Sequence, residues 1–382
     1  MTDFPPQQSL FEPGTPGMVA QLFDASRLTQ ARLLAGMTKH ELAEALGVSA
    51  AAVGQYEAGI TAPRPDLLSR LPDLLGFPLP FFSRGRPYAR LDTSMAHFRS
   101  LRSTRVGQRA KAAALGEQLW ELTFALERRV ELPAVDLPSA PGGADVAWQG
   151  PEHAAREVRR YWKIDKGPFR HVVRTMELHG IVVSILSIAG EDVARVDAFS
   201  SCRLPRPLIV LTPDRANDVL RHRFTAAHEL GHLLLHPDVL PGDIEQEREA
   251  DRFAAELLTP AEEIRHELPT RVRIPVLEEI SREWGVSPES LVRRCKELGN
   301  VSDVSARRAY QRLSQLRTAG FLRAEPVDGY PGEMPTVLCS AFALAEQHGL
   351  SLRELAEELA WPLSHVRQLL GQVENRPILR LV

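Results

Sequence analysis

The chain has 382 residues, of which 44% are hydrophobic, a formal net charge of −3 and a pI near 6.5. That length predicts two or three domains with sizeable cores, and the near-neutral balance excludes a polyanion-binding surface over the whole molecule, so any nucleic-acid contact has to be local. Three scattered cysteines, Cys202, Cys295 and Cys339, exclude a disulfide framework and a cysteine zinc site and suit a reducing compartment.

The segment Met1-Thr2-Asp3-Phe4-Pro5-Pro6 has neither a basic n-region nor an apolar h-region, and no run approaches transmembrane length. A soluble, cytoplasmic protein without membrane contact is expected. Residues 1–20, rich in Pro, Gly and Gln, read as a disordered tail. A helical series over 21–83 follows. Leu28, Ala31, Leu34 and Ala35 form one apolar stripe; Thr38 and Glu41 form a capping box for a helix that stops at Gly47. Ser49 then caps a third helix through about Ala58. Helix, Gly-Val-Ser turn, helix is the helix-turn-helix pattern.

With Gln55-Tyr56-Glu57-Ala58-Gly59, Pro63 and a fourth helix near Pro65–Leu75, this segment resembles the Cro and lambda-repressor (XRE) type of DNA-binding domain. The resemblance implies double-stranded DNA as a partner, with the third helix in the major groove. On that helix Ser49 and Gln55 are the base readers, while Ala50 and its neighbours offer at most a methyl contact. Lys39 stands at the phosphate-facing start of the second helix, and Arg64 is a further candidate contact. Residues 20–75 carry five basic and six acidic side chains, so the domain supplies little electrostatic affinity by itself.

Residues 84–131 pair a basic segment with a long connecting helix. From Arg84 to Lys111 there are eight basic residues and one acidic, Asp92. Arg99, Arg102 and Arg105 in this stretch could track phosphates beside the docked helices; a solvated linker is the competing reading. Ala96-His97-Phe98-Arg99-Ser100-Leu101-Arg102-Ser103 resembles a segment found where an XRE domain is fused to an ImmA/IrrE-type peptidase. The helix near Val106–Val130, with Leu115, Leu119, Leu122 and Leu126 on one side, reads as structural packing, with an inter-domain strut or a homodimer seam as alternatives.

Residues 132–151 form the clearest linker, and a second domain is expected over 152–300. Glu152–Trp162 and Phe169–His179 read as helices, and 180–186 and 207–212 as buried strands of a small sheet. An exposed edge of that sheet could take up a peptide as an added strand. The next stretch, Arg223 to His236, reads as an apolar helix carrying H-E-x-x-H. His228 and His232 lie one turn apart on one face and suit a single zinc-like ion, with Glu229 beside it as a base. About 0.03 such motifs are expected by chance in a chain of this composition.

A third ligand is required. The following helix, Glu245 to Leu258, has an apolar stripe of Ala250, Phe253, Ala254, Leu257 and Leu258. Glu249 stands at its edge, and Glu245 and Glu256 also fall within reach; Asp251 could orient a ligating imidazole or face solvent. The run Arg223–His236 with Glu249-Ala250-Asp251-Arg252-Phe253-Ala254-Ala255-Glu256-Leu257-Leu258-Thr259-Pro260 resembles the ImmA/IrrE family of metallopeptidases, with Thr259 where that family usually has Met. The resemblance implies a zincin-like α+β domain, Glu249 as third ligand, and a repressor protein as substrate. The fold class expected is therefore mainly α, with a small α+β domain between an all-α N-terminal domain and a C-terminal helical region.

Zinc is the default ion for two imidazoles and a carboxylate, with manganese or iron as alternatives. Two functions compete: a regulatory endopeptidase that cuts a repressor, and an XRE-type transcription factor whose peptidase-like domain senses or binds without cutting. After Pro260, residues 275–298 echo a helix-turn-helix and read as a packing unit. In 301–382, the stretch 336–371 offers a similar hairpin that suits protein contact or sensing as well as DNA reading.

Overall fold

Capping residues read from the sequence start several helices of the structure, a computed structural model that describes residues 14–85, 97–98, 106–140, 147–186, 198–202, 204–212, 218–237 and 243–372. In chain order come α1 (Pro16–Gln21), α2 (Ala25–Leu34), α3 (Lys39–Leu46), α4 (Ala50–Glu57), α5 (Pro65–Leu68), α6 (Leu71–Leu75), β1 (His97–Phe98) and α7 (Val106–Glu127). Next are α8 (Pro151–Tyr161), α9 (Val172–Leu178), β2 (Val182–Ile185), β3 (Ala198–Ser201), β4 (Leu208–Leu211), α10 (Val219–Leu235) and α11 (Ile244–Leu258). The last are α12 (Ala261–Ile264), α13 (Ile274–Trp284), α14 (Pro288–Glu297), α15 (Asp303–Thr318), α16 (Val337–Gln347), α17 (Leu352–Leu359) and α18 (Leu363–Leu369).

The chain forms two units that do not follow its linear order. The first combines residues 1–91, 105–131 and 339–382; the second combines 92–104 and 132–338.

In the first unit the helix-turn-helix is fixed by its caps. The Thr38 hydroxyl accepts the Glu41 N–H at 3.2 Å, and the Glu41 carboxylate accepts the Thr38 N–H at 2.6 Å. Gly47 takes the left-handed conformation, φ 71°, that lets the chain turn without a Cβ clash. Ser49 then caps α4 by accepting the Ala52 N–H at 3.2 Å. A buried Arg32–Glu57 pair ties α2 to α4. Helix α7 is the central element of this unit, buried from Ala112 to Leu126 except at Phe124. Its Glu121 receives the buried Arg27 guanidinium of α2 at 2.7 Å. This burial, with contacts to α2 and to the helices of the C-terminal hairpin, is what a packing role for the helix calls for.

The C-terminal hairpin returns to the same helix. Ser351 and Glu354 form a second capping box, and Ala360, φ 54°, makes the turn that Gly47 makes in the first hairpin. Arg129 pairs with Glu358 at 2.5 Å, and the partly buried His365 contacts Gln118 of α7. The 301–382 region is thus not one piece: 301–338 packs with the second unit and 339–382 with the first. The expected tail also ends earlier, because α1 buries Val19 under α5 and the turn Leu79–Ser83.

The second unit is built on a sheet in the order β1-β3-β4-β2. β2 runs parallel to β4, while β3 is antiparallel to both β4 and β1. β4 is buried at every position and reads as a continuous apolar run, whereas β3 is equally buried although its last two residues are Ser200 and Ser201. Helix α10 packs on β3 and β4, and α11 packs on α10 and α8. A Cβ at Gly231 would lie 3.1 Å from the Phe253 ring and 3.2 Å from the Ala250 backbone, so this glycine sets how closely α11 approaches α10. Helices α13, α14 and α15 contribute Leu277, Trp284, Leu291, Cys295 and Leu313 to the same core, so 275–298 is a packing hairpin.

The expected linker is also partly structural. Leu132 and Ala140 are buried; Tyr161 donates to the Asp136 carboxylate at 2.6 Å, and the Trp162 indole donates to the Asp136 carbonyl at 3.1 Å. Apolar side chains at both ends hold this stretch against the second unit, and its residues 141–146 lie outside the described ones.

Candidate metal centre and DNA-binding face

Asp218 starts α10 by accepting the Leu220 N–H at 3.0 Å, and the helical repeat then stacks His228, His232 and His236 on one face. His228 and His232 are each 1% exposed, with their Nε2 atoms 3.1 Å apart. Glu229 is fully buried between them in sequence.

The carboxylate that joins the two imidazoles comes from α11, and it is Glu247. Its oxygens lie 3.4 Å from Nε2 of His228 and 3.5 Å from Nε2 of His232, and one donor atom of each residue lies within 4.8 Å of the others. Burial opposes ionisation of Glu247, but hydrogen bonds and charge from His228 and His232 outweigh it and bring its pKa down to about 2. Glu249, the ligand expected from the sequence, instead hydrogen-bonds Nε2 of His236 at 2.8 Å. Helix phase explains the difference. Glu247 precedes the buried Ala250 by three residues and Ala254 by seven, so it shares their face, while Glu249 lies on the opposite flank of that stripe. Counting residues from the middle of the apolar stripe, and not from its first member, would have exposed that signal.

The surroundings hold both rings. Asp251 accepts from Nδ1 of His228 at 2.9 Å and receives Arg293 at 2.8 Å, which is itself bound to Glu297 at 2.9 Å. Burial would raise the Asp251 pKa, but His228 and then Arg293 hold it well below the usual carboxylate range. Asp251 therefore takes the ring-orienting place and not the solvent-facing one. His236, buried just past the end of α10, contacts Nδ1 of His232 at 3.1 Å. Glu245 is exposed and pairs with Arg248, and Glu256 is buried against Arg294 and Arg156, so neither enters the group.

Two nitrogen donors, each contacted at its other ring nitrogen, and one acidic oxygen set close to them form a donor set that fits a divalent transition-type ion. An H-E-x-x-H helix over a small mixed sheet, with an acid from the next helix, is the arrangement of a metallopeptidase domain. Residues 176–296 match the peptidase family model described as IrrE N-terminal-like domain. Residues 28–82 match the helix-turn-helix family model. The chain thus carries an IrrE N-terminal-like domain together with an XRE-type helix-turn-helix domain. A search of curated proteins returns no match to it.

The helix-turn-helix domain implies DNA binding. On its surface Ala50 and Gln55 are exposed at α4, as a reading helix requires. Ser49 is exposed too, but its hydroxyl is engaged in the cap. Lys39 lies 3.3 Å from Glu57, which already neutralises Arg32, and Arg64 lies 3.2 Å from Asp66, so both cations are partly balanced within the domain. Arg99, Arg102 and Arg105 lie outside the described residues. Among the described residues no helix is long and apolar enough to cross a membrane.

Proposed function

We propose that this protein is a DNA-associated, metal-dependent endopeptidase that regulates transcription by cutting a repressor protein. The observation that carries the reading is the His228–His232–Glu247 group, with Asp251 and Arg293 braced behind it on the face of a helix that also bears Glu229.

His228, His232 and Glu247 would hold the ion, with zinc as the first choice and manganese or iron as alternatives. When bound, such an ion supplies Lewis-acid polarisation of a carbonyl oxygen and makes water acidic enough to ionise near neutral pH. Glu229 then acts as general base and acid: a carboxylate oxygen takes a proton from the attacking water and returns it to the amide nitrogen as the C–N bond breaks. Asp251 keeps the His228 ring oriented throughout. The helix-turn-helix domain would bring the protease to the operator where its target is bound.

The test is incubation of the zinc-loaded full-length protein with candidate XRE-type repressors, beside Glu229→Gln. Cleavage by the parent that falls about 10²–10⁴-fold in the variant supports the reading. Intact repressors with every partner and metal, while DNA binding persists, would favour a transcription factor that senses without cutting.

A further inference from the structure

The helix-turn-helix domain carries five basic and six acidic side chains over residues 20–75, so its own charge draws DNA weakly. A separate cationic surface lies in the second unit, on α15, beyond the end of the peptidase match at residue 296. From Val304 to Ala324 the sequence has five arginines and no acidic residue. The Ser302 side chain caps α15 by accepting the Ser305 N–H, and Ala306, Ala309 and Leu313 turn one narrow stripe into the core. Helical phase therefore puts Arg307, Arg308, Tyr310, Gln311, Arg312 and Gln315 outside, and all six are exposed. We propose that this face of α15 is a docking surface for the phosphate backbone of double-stranded DNA, separate from the base-reading helix α4. This rests on the DNA-associated reading above and adds a second contact to it.

Several surface arginines of this unit are matched by an acid one helical turn away: Arg160 by Glu157, Arg248 by Glu245 and Arg293 by Glu297. Arg308 and Arg312 are not. The positions three and four residues from them hold Val304, Ser305, Ala309, Gln311, Gln315 and Leu316, and each other. Asp303, one turn before Arg307, is instead 3.2 Å from Lys296. Among the described residues Arg307, Arg308 and Arg312 make no ion pair. Like charges four apart on a helix repel, a small cost in the free protein that anions laid along the face would remove. Arg308 and Arg312 stand about 6 Å apart along the helix axis. A row of charge calls for a row of anions, and each strand of a duplex supplies one phosphate per about 3.4 Å of its axis. Gln311, Gln315 and Tyr310 add neutral donors of the kind that bond phosphate oxygens. A protein partner would call for an apolar centre, but the exposed Val304 and Phe321 stand at the two ends of the segment and not in its middle.

The experiment follows binding of the full-length protein to a fluorescein-labelled duplex of random sequence, by anisotropy over a series of salt concentrations. The triple variant Arg307→Gln, Arg308→Gln, Arg312→Gln keeps good helix formers on an exposed face, so its far-UV circular dichroism should match the parent. Its slope of log affinity against log salt should be shallower by about 2–3, the share of three phosphate contacts. Arg307→Lys, Arg308→Lys and Arg312→Lys together keep the charge and should restore the parent slope. Gln55→Glu on α4 should weaken binding yet leave the shift caused by the triple variant in place, since the two contacts are separate. A parent-like slope in the triple variant would overturn the proposal. So would an unchanged DNA slope alongside lost binding to a poly-glutamate peptide, which would give this face to an acidic protein instead. A parent that binds no duplex at any salt would overturn the DNA-associated reading together with this one, whereas a parent and triple variant that bind with equal slopes overturn this one alone.

Discussion

Glu247 and Glu249 are two residues apart on one helix and serve different histidines: the first stands 3.4 Å from Nε2 of His228, the second 2.8 Å from Nε2 of His236. A helix turns by about 100° per residue, so a two-residue step carries a side chain about 200° round, to nearly the opposite side. Removing a ligand should cost more than removing a brace. Glu247→Ala is expected to lose zinc by more than the roughly 10–100-fold typical of an outer-shell partner, with Glu249→Ala inside that range. Chelator competition on the two variants checks the order.

Asp251 links His228 to Arg293 at 2.9 and 2.8 Å. Asp251→Asn keeps the shape but removes the charge that favours hydrogen on Nδ1 of His228. A fall in zinc affinity of about 10–100-fold is expected, and a smaller one for Arg293→Met, which leaves the carboxylate in place. Isothermal titration of both variants decides it.

Two imidazoles, the buried His222 and the partly buried His365, give each unit a pH dependence. Burial brings His365 in the first unit down to about 4. In the second unit burial does the same for His222, against the opposing bond to the Glu333 carbonyl and with some help from Arg223, again to about 4. Both folded values lie below the usual 6.5, so the unfolded chain binds more protons between those limits. The stabilisation is complete above pH 6.5 and is lost as pH falls towards 4, at about 3 kcal/mol for each group. Denaturant midpoints between pH 7 and 4 should fall, and His365→Gln should flatten the fall for the first unit alone.

DNA affinity should drop steeply with salt if phosphates dominate the contact. Lys39 and Arg64 are each near an acid, so the basic stretch that includes Arg99, Arg102 and Arg105 is the remaining local source of charge. Replacing those three with Ala should flatten the slope of log affinity against log salt by up to about 3. An unchanged slope would remove that stretch from the interface.

The parts legible in the sequence were those decided by near neighbours. The Thr38–Glu41 box, Gly47 and the Ser49 cap fix the first hairpin within a dozen residues, and the H-E-x-x-H spacing puts His228 and His232 on one face within one turn. What escaped depends on distant partners. β3, Ala198-Phe199-Ser200-Ser201, is half polar and takes its identity from pairing with β4, and Leu132–Ala140 is held by Arg206, Tyr161 and Trp162. The sequence does not single out Glu247, because flanking acids every second residue, Glu245, Glu247 and Glu249, make helix phase the discriminator.

The hairpin at residues 351–369 closes on α7, a helix made more than two hundred residues earlier. A ribosome delivers this protein from one end, so the half that reads DNA stays open at one side until the catalytic-type half has already emerged. Neither half can be released from the other by a single clip between them, and a truncation after residue 338 should damage the distant N-terminal helices it never touches in sequence.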